Sequence, residues 1–333
     1  MNEFPLAPRE RFRRTMHFLP CDRPPLLQAF IDDAAVARWR QEELPARESP
    51  ADHFGMDRIE WAVEWRDWPR LDLGQWQRRP ERWTTAKECF IERWRAETGP
   101  ERIAAWRDRD YPLGIHAWQG ALRFLGVGDW ATFAPVLERF CDDPGWIADH
   151  LAMLSDWNAD LIDTITGEVD IDFATFSEPI AGNHGPVISP AMFERLVIPA
   201  YRMLCARLRA RGVDTVILRS TGGNVRLLLD ACVEAGITAL WPSQTAQTNM
   251  DFVELRQAYG NRLALIGGID SRLLEKDPEA MAAQLEQMVP PLLAGGGYIP
   301  MLDDTVRAYV PYRRFADFWA LLKRRTGSTR PAT

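Results

Sequence analysis

The sequence predicts an α/β protein of the (β/α)8, TIM-like barrel class, on three observations. From about Asp110 onward, strand-like apolar runs alternate with amphipathic helical stretches. With two candidates upstream there are about eight such runs, the number a (β/α)8 barrel needs. The length, 333 residues, suits one barrel carrying an insertion.

Taken in order, "RPPLLQAF" and "GMDRIEWAVE" are the first and second strand candidates. The stretch 65–109 is different: it is rich in Trp and Arg, with helical spacing at Trp83, Phe90 and Trp94. It reads as a helical insertion between the second and third strands, packed on the barrel. The later strand candidates are "YPLGIHAW", "DLIDTI" leading to "IDFATFSE", "DTVILRS", "GITALWP", "LALIGGID" and "GYIPMLD". Ser189-Pro190 and Asp277-Pro278 each place a capping side chain before a proline suited to a first helical turn. Pro199 should divide or kink the helical region after Ser189. One domain is expected over residues 1–326, with a disordered tail at 327–333.

Composition narrows the function. The chain is 46% hydrophobic and 26% charged, with a formal net charge of −7. A large core is expected, and nucleic acid is excluded as a general partner because phosphate neutralisation needs a basic face. Five dispersed cysteines, with no C-x-x-C, suggest reduced thiols and a cytoplasmic location, and their spacing supports no cysteine zinc site. No apolar run approaches membrane-spanning length, so no membrane partner is expected.

In barrels of this class, chemistry sits where the strands finish. Reading off those positions gives Asp32 after the first strand, His116 in the third and Glu178 after the fourth. The fifth offers Arg219, Ser220, Gly222 and Gly223, and the last three end near Gln244, Asp270, and Asp303 with Asp304. Arg219 would aim a fixed positive charge at a ligand, and the two glycines would let backbone N–H groups approach an anion. Each residue has a structural alternative. Asp32 can cap the helix that starts at "AAVARW", His116 can be a hydrogen-bonded core histidine, and Ser-Thr-Gly-Gly can be a tight turn. Gly267-Gly268 comes without a nucleotide-binding motif.

The segments "GPVISPAMFERLVIPAY", "LALIGGIDSRLLEKDPEAM" and "GGGYIPMLDD" resemble the uroporphyrinogen decarboxylase superfamily, which also contains cobalamin-related methyltransferases. "CDRPPLLQAFIDD", "WRQEELP" and "HFGMD" resemble its uncharacterised branch in particular. The resemblance implies a (β/α)8 barrel with its cleft at the carboxyl ends of the strands. The departures bear on the reaction. "QAFIDDAAVAR" stands where true uroporphyrinogen decarboxylases have an arginine-rich segment, and Arg219-Ser220-Thr221 stands where related zinc methyltransferases have His-x-Cys. The uncharacterised branch, too, tends to carry a second acid where this chain has Pro179, Glu where it has Gln244 and His where it has Asp304.

The reading that follows is a cofactor-independent, decarboxylase-like lyase acting on a carboxylate-bearing small molecule, with no metal site. In it Glu178, Asp303 and His116 are catalytic. Arg219, Ser220, Gly222, Gly223, Asp32, His184, Gln244, Asp270 and Asp304 contact substrate. The alternatives are a corrinoid-linked methyltransferase, with a corrinoid protein as partner, and a small-molecule binder without catalysis. The family resemblance also makes a homodimer plausible.

Overall fold

The structure is a computed structural model that describes residues 5–63, 81–127 and 130–327. Residues 65–80 of the expected insertion and the tail from 328 onward lie outside the described residues, as does the side chain of Trp83. Along the chain come α1 (Pro8–Met16), α2 (Asp33–Glu42), α3 (Pro50–Phe54) and β1 (Glu60–Val63). Then follow α4 (Glu81–Arg107), β2 (Leu113–Trp118), α5 (Ala121–Phe124), α6 (Trp130–Asp142) and α7 (Pro144–Glu168). Next are β3 (Phe173–Ser177), a short pair β4 (Ala181–Gly182) and β5 (Gly185–Pro186), α8 (Pro190–Leu196), α9 (Ile198–Ala210) and β6 (Thr215–Ser220). The remainder is α10 (Leu229–Ala235), β7 (Ala239–Pro242), α11 (Phe252–Tyr259), β8 (Ala264–Ile269), α12 (Pro278–Ala294), β9 (Tyr298–Leu302) and α13 (Tyr312–Arg325).

These elements fall into two compact units: Ile59–Thr238, and Met1–Arg58 together with Ala239–Thr333. In the unit Ile59–Thr238, β1, β2, β3 and β6 pair in that order, all parallel. Parallel strands put paired residues on the same face, and successive residues on opposite faces. Trp61, Gly114, Phe173 and Thr215 are register partners and share a face. His116, Thr175 and Ile217 form the next row, and Ser177 with Arg219 the one after. Contacts agree with this parity: Trp61 stacks on His116 with centroids 4.1 Å apart and meets Phe173 edge-on at 4.9 Å. The opposite face carries Ala174, Phe176, Val216 and Leu218. It is covered by α9, whose Tyr201 packs edge-on against Phe176 at 5.0 Å.

A clamp closes the amino ends of β2 and β3. The buried Arg109 guanidinium donates to Asp172 Oδ2 at 2.6 Å and to the carbonyls of Trp106 and Asp170. Asp172 Oδ2 also accepts from the Leu113 amide. Helix α4 breaks at Gly99 (φ 72°), next to Pro100. Its Trp94 indole donates to the Ala62 carbonyl at 2.7 Å, Trp106 donates to Glu60, and Phe90 packs on Trp157 of α7.

In the other unit β7, β8 and β9 pair in parallel. Trp39, Phe54, Phe315 and Trp319 form an aromatic core whose indoles donate to the Val310 and Phe54 carbonyls. Arg11 bridges Asp22 and Asp57, and Asp57 also accepts from the Leu26 amide.

The helix starts follow the expected devices. Ser189 accepts from the Met192 amide and Asp277 from the Ala280 amide, each ahead of its proline. The region after Ser189 divides between Leu196 and Ile198, next to Pro199.

Two expected strands are corrected. "DLIDTI" lies inside α7, because Leu154, Asn158, Leu161, Ile162 and Ile165 repeat at helical spacing and are all buried there. "RPPLLQAF" is extended but is no regular strand; only Ile31 bridges, to Val306. Pro24 and Pro25 lack ladder donors, and Gln28 presents a side-chain oxygen to the Leu302 amide (3.1 Å) where a strand would use its backbone.

Gly114 has no room for a side chain, since a Cβ there would lie 2.3 Å from the Phe173 ring. Gly114→Ala is expected to destabilise the fold by about 1–3 kcal/mol through overpacking, measured as a fall in denaturant midpoint at unchanged slope.

Candidate functional site

The carboxyl ends of β2, β3 and β6 gather the site residues of the unit Ile59–Thr238. His116 is buried and its Nδ1 lies 2.6 Å from the Thr175 hydroxyl. Burial, with a smaller contribution from the nearby Arg219 charge, pushes its pKa down to about 3, so the imidazole is neutral through the physiological range. Arg219, half-buried on the same face, has its own pKa lowered by burial. A guanidinium drawn out of water attracts an anion more strongly than an exposed one.

Glu178 is different. Its amide extends the ladder by donating to the Arg219 carbonyl at 2.9 Å, but parity puts its side chain on the face opposite Arg219. There the carboxylate is 1% exposed, and three groups donate to it. They are the Trp118 indole (3.0 Å), the Tyr201 hydroxyl (2.8 Å) and the Ala121 amide (3.0 Å). Burial raises its pKa to about 7 against the opposing pull of those donors. The structure therefore joins His116 with Arg219 and does not join Glu178 to them.

The Ser-Thr-Gly-Gly turn is tight and specific. Ser220, buried, donates to the Gly223 carbonyl, and Asn224 N–H donates to Gly182. A Cβ on Gly223 would lie 2.1 Å from the Ala181 carbonyl oxygen, so this glycine serves close backbone packing. Gly222, at φ 83°, has open space where a Cβ would be. His184 is exposed on the turn between β4 and β5.

The other unit has its own polar cluster. Asp303, buried, accepts from the Thr245 amide and hydroxyl (both 2.7 Å) and from the Ser271 amide (3.0 Å). Burial, opposed by these bonds, raises its pKa. Gln244 has a left-handed backbone (φ 53°), and its amide donates to Asp304 Oδ2 at 3.2 Å. Asp270 caps the turn at Ser271–Glu275 and pairs with Arg272 at 2.8 Å; burial opposes ionisation, but these bonds prevail and lower its pKa. Asp32 is exposed and caps α2, accepting from Ala34 N–H at 3.2 Å. An open cavity of about 340 Å³ adjoins this cluster, lined in part by Thr245, Gly268, Asp270 and Gln287.

Four contributors escape a reading of strand ends. Trp61 and Thr175 sit mid-strand and become visible only when parity is counted outward from His116. Tyr201 and Trp118, which hold Glu178, give no sequence signal beyond their size. Among the described residues, no group of three or more His, Cys, Asp or Glu is placed to hold a metal ion. No described helix is long and apolar enough to cross a membrane.

This arrangement of parallel strands, intervening helices and polar strand ends defines an α/β protein of the TIM-barrel class, and the comparisons agree. The family model described as Uroporphyrinogen decarboxylase (URO-D) matches residues 132–324, more than half of the chain, and the chain belongs to that family. Among solved structures, a methyltransferase from Methanosarcina mazei is similar over 96% of this chain and 99% of its own, with TM-score 0.61 and 14% identity, a likeness of fold. A D-psicose 3-epimerase structure aligns at TM-score 0.37 and 10% identity over 83% of this chain and 91% of its own. No curated protein matches the chain.

His116 and Glu178 impose opposite pH dependences on stability. The histidine's folded pKa is depressed, so its contribution is complete above about 6.5 and is lost as pH falls toward about 3. The glutamate's is raised, so its contribution is complete below about 4.5 and is lost as pH rises toward about 7. Between pH 6.5 and 4.5 the two oppose each other. Removing the acid with Glu178→Gln is expected to make the melting temperature fall more steeply with acidification than in the wild type, as measured by thermal unfolding at half-unit pH steps. The His116 ring should remain neutral at pH 5 in an NMR titration.

Proposed function

We propose that this protein is a decarboxylase-like carbon–carbon lyase acting on a carboxylate-bearing small molecule. Arg219 grips a carboxylate that stays on the substrate, and His116 provides a neutral polar contact beside it. In the reaction the bond from a substrate carbon to its leaving carboxylate breaks. The electron pair moves into the substrate's π system, CO2 departs, and a proton taken up from the medium replaces it on carbon. No cofactor is required.

The observation that supports this reading most is the pairing of a partly desolvated guanidinium with a neutral imidazole on one strand face. A second cation there would compete with proton chemistry. A neutral ring, fixed by Thr175 and stacked on Trp61, can hydrogen-bond to substrate without altering the net charge the anion meets. Membership of the family adds an enzymatic context without specifying the lyase reaction. Glu178 is not carried forward as proton donor, because its carboxylate faces the helices and is committed to protein donors.

The test is a panel of mono-, di- and tricarboxylated pyrroles and benzenes, followed by thermal protection and CO2 release. Protection plus CO2 is the expected result. Protection without turnover would leave a binder, and methylation of added cob(I)alamin by a supplied methyl donor, without CO2 release from the panel, would point to corrinoid-linked methyl transfer. Arg219→Gln is expected to weaken carboxylate binding about ten- to hundredfold, the worth of a charge-assisted hydrogen bond. Arg219→Lys should recover only part of it, because the ammonium lacks the bidentate fork. Titration calorimetry reads both, and unchanged affinity in Arg219→Gln would remove the residue from the site.

A further inference from the structure

The most heavily bonded acid of this unit lies outside the proposed chemistry. Glu178 touches three separate pieces of the fold. Through Trp118 and the Ala121 amide it holds the β2–α5 turn, through Tyr201 it holds α9, and through its own amide it holds the Arg219 end of β6. The turn it grips has little freedom. Gly120 sits at φ 99°, and a Cβ there would lie 2.6 Å from Pro179, 2.8 Å from the Ser177 carbonyl and 3.1 Å from the Glu178 carboxylate.

We propose that Glu178 is a positioning residue that works as a proton-controlled latch. Protonated, it keeps the Gly120–Ala121 turn and the strand end bearing Arg219 clamped to α9; ionised, it favours their release. The consequence for ligand binding rests on the role of Arg219 proposed above, whereas the latch itself does not.

The argument is one of charge in an enclosed place. The titratable groups coupled directly to the carboxylate are Tyr201 of α9 and Cys232 of α10, both buried, and neither carries a positive charge. Behind them the buried Cys205 of α9 adjoins both, and the charge acting on that thiol is Arg209 of the same helix. Burial raises the pKa of the Tyr201 hydroxyl, with Glu178 adding to the effect, and does the same for the Cys232 thiol. Arg219, the cation nearest in sequence register, projects from the other face. Three donors favour the carboxylate, but among the described residues no cation pairs with it to offset its removal from water, and burial prevails. Any local opening that lets water reach Glu178 restores an ordinary carboxylic acid. Opening must therefore become easier as pH rises through the interval between the ordinary value and the raised one, by up to about tenfold per pH unit. Above about 7 the effect levels off.

Hydrogen exchange on the full chain between pH 4.5 and 8.5, corrected for intrinsic rates, tests the latch without a ligand. In the wild type, protection of the segments spanning Gly120–Gly126 and Leu218–Gly223 should fall between pH 5 and 7 and then plateau. Glu178→Gln should show no such fall. Tyr201→Phe keeps the acid and deletes one donor to the carboxylate, so its plateau should begin at higher pH; this variant keeps the test decisive if Glu178→Gln does not fold. A flat wild-type profile, a fall that persists in Glu178→Gln, or a Tyr201→Phe plateau that is unmoved or lower would each overturn the latch.

Calorimetry with benzene-1,3,5-tricarboxylate at pH 5.5 and 8 separates the two readings. Tighter binding at pH 5.5 in the wild type, with the difference lost in Glu178→Gln, supports both the latch and its link to Arg219. Binding at both pH values alongside flat exchange would sink the latch and leave the lyase reading standing. No binding at either pH alongside the expected exchange profile would do the reverse.

Discussion

The period-two alternation of parallel strands decides what this protein can do with its charges. Glu178 and Arg219 meet through a backbone hydrogen bond, yet their side chains leave the sheet on opposite faces. A shift of one residue in either strand would bring acid and base together as a buried ion pair, satisfied and chemically inert. The observed register instead puts the two side chains on different faces and in different environments. On one side a guanidinium is set beside a neutral histidine and an indole. On the other a carboxylic acid is enclosed by donors, aromatic rings and thiols.

Both His116 and Glu178 are pushed toward their neutral forms, and by the same cause, loss of water. Arg219 cannot respond in the same way, because guanidinium stays protonated even when burial lowers its pKa. Desolvation thus leaves a neutral histidine, a glutamate that ionises only near pH 7, and an obligate cation. On the role proposed for Arg219, that sorting leaves the guanidinium as the group that would meet an anion. The Asp303 cluster in the other unit shows how geometry moderates the same pressure. Three donors meet this acid too, and it keeps slightly more contact with solvent than Glu178, while burial again raises its pKa.

The fold was readable in the sequence wherever a run of apolar residues could bury only as a strand, as in "DTVILRS" and "GYIPMLD". It was misread where period and composition disagreed. "DLIDTI" has strand-like residues, but its buried positions follow the helical repeat of the longer segment around it. "RPPLLQAF" has the right polarity but begins with two prolines and uses a glutamine side chain in place of a ladder bond. For the site, the ends of strands could be read but their faces could not. A residue one position past a strand keeps its parity, so Glu178 belongs with Phe176 while Arg219 belongs with Thr175 and His116. Register across strands, which assigns those faces, is a tertiary quantity and leaves no local trace. The capping role of Asp32, by contrast, was written in its neighbours.

The glycines after Arg219 show why so specific a turn follows a charged strand end. Gly223 is required because its backbone lies against Ala181, and Asn224 bonds to Gly182 on the same short hairpin. Ser220, facing the helices, closes the turn through the Gly223 carbonyl. Arg219 is thus flanked by a peptide tied to Glu178 on one side and a turn tied to the hairpin on the other. A long, flexible side chain grips a ligand tightly only if its backbone does not have to be ordered at the same time. The turn therefore supplies rigidity to the strand end. On the proposed function, specificity for a carboxylate would rest on the guanidinium and on the flat, neutral surface of Trp61 and His116 beside it.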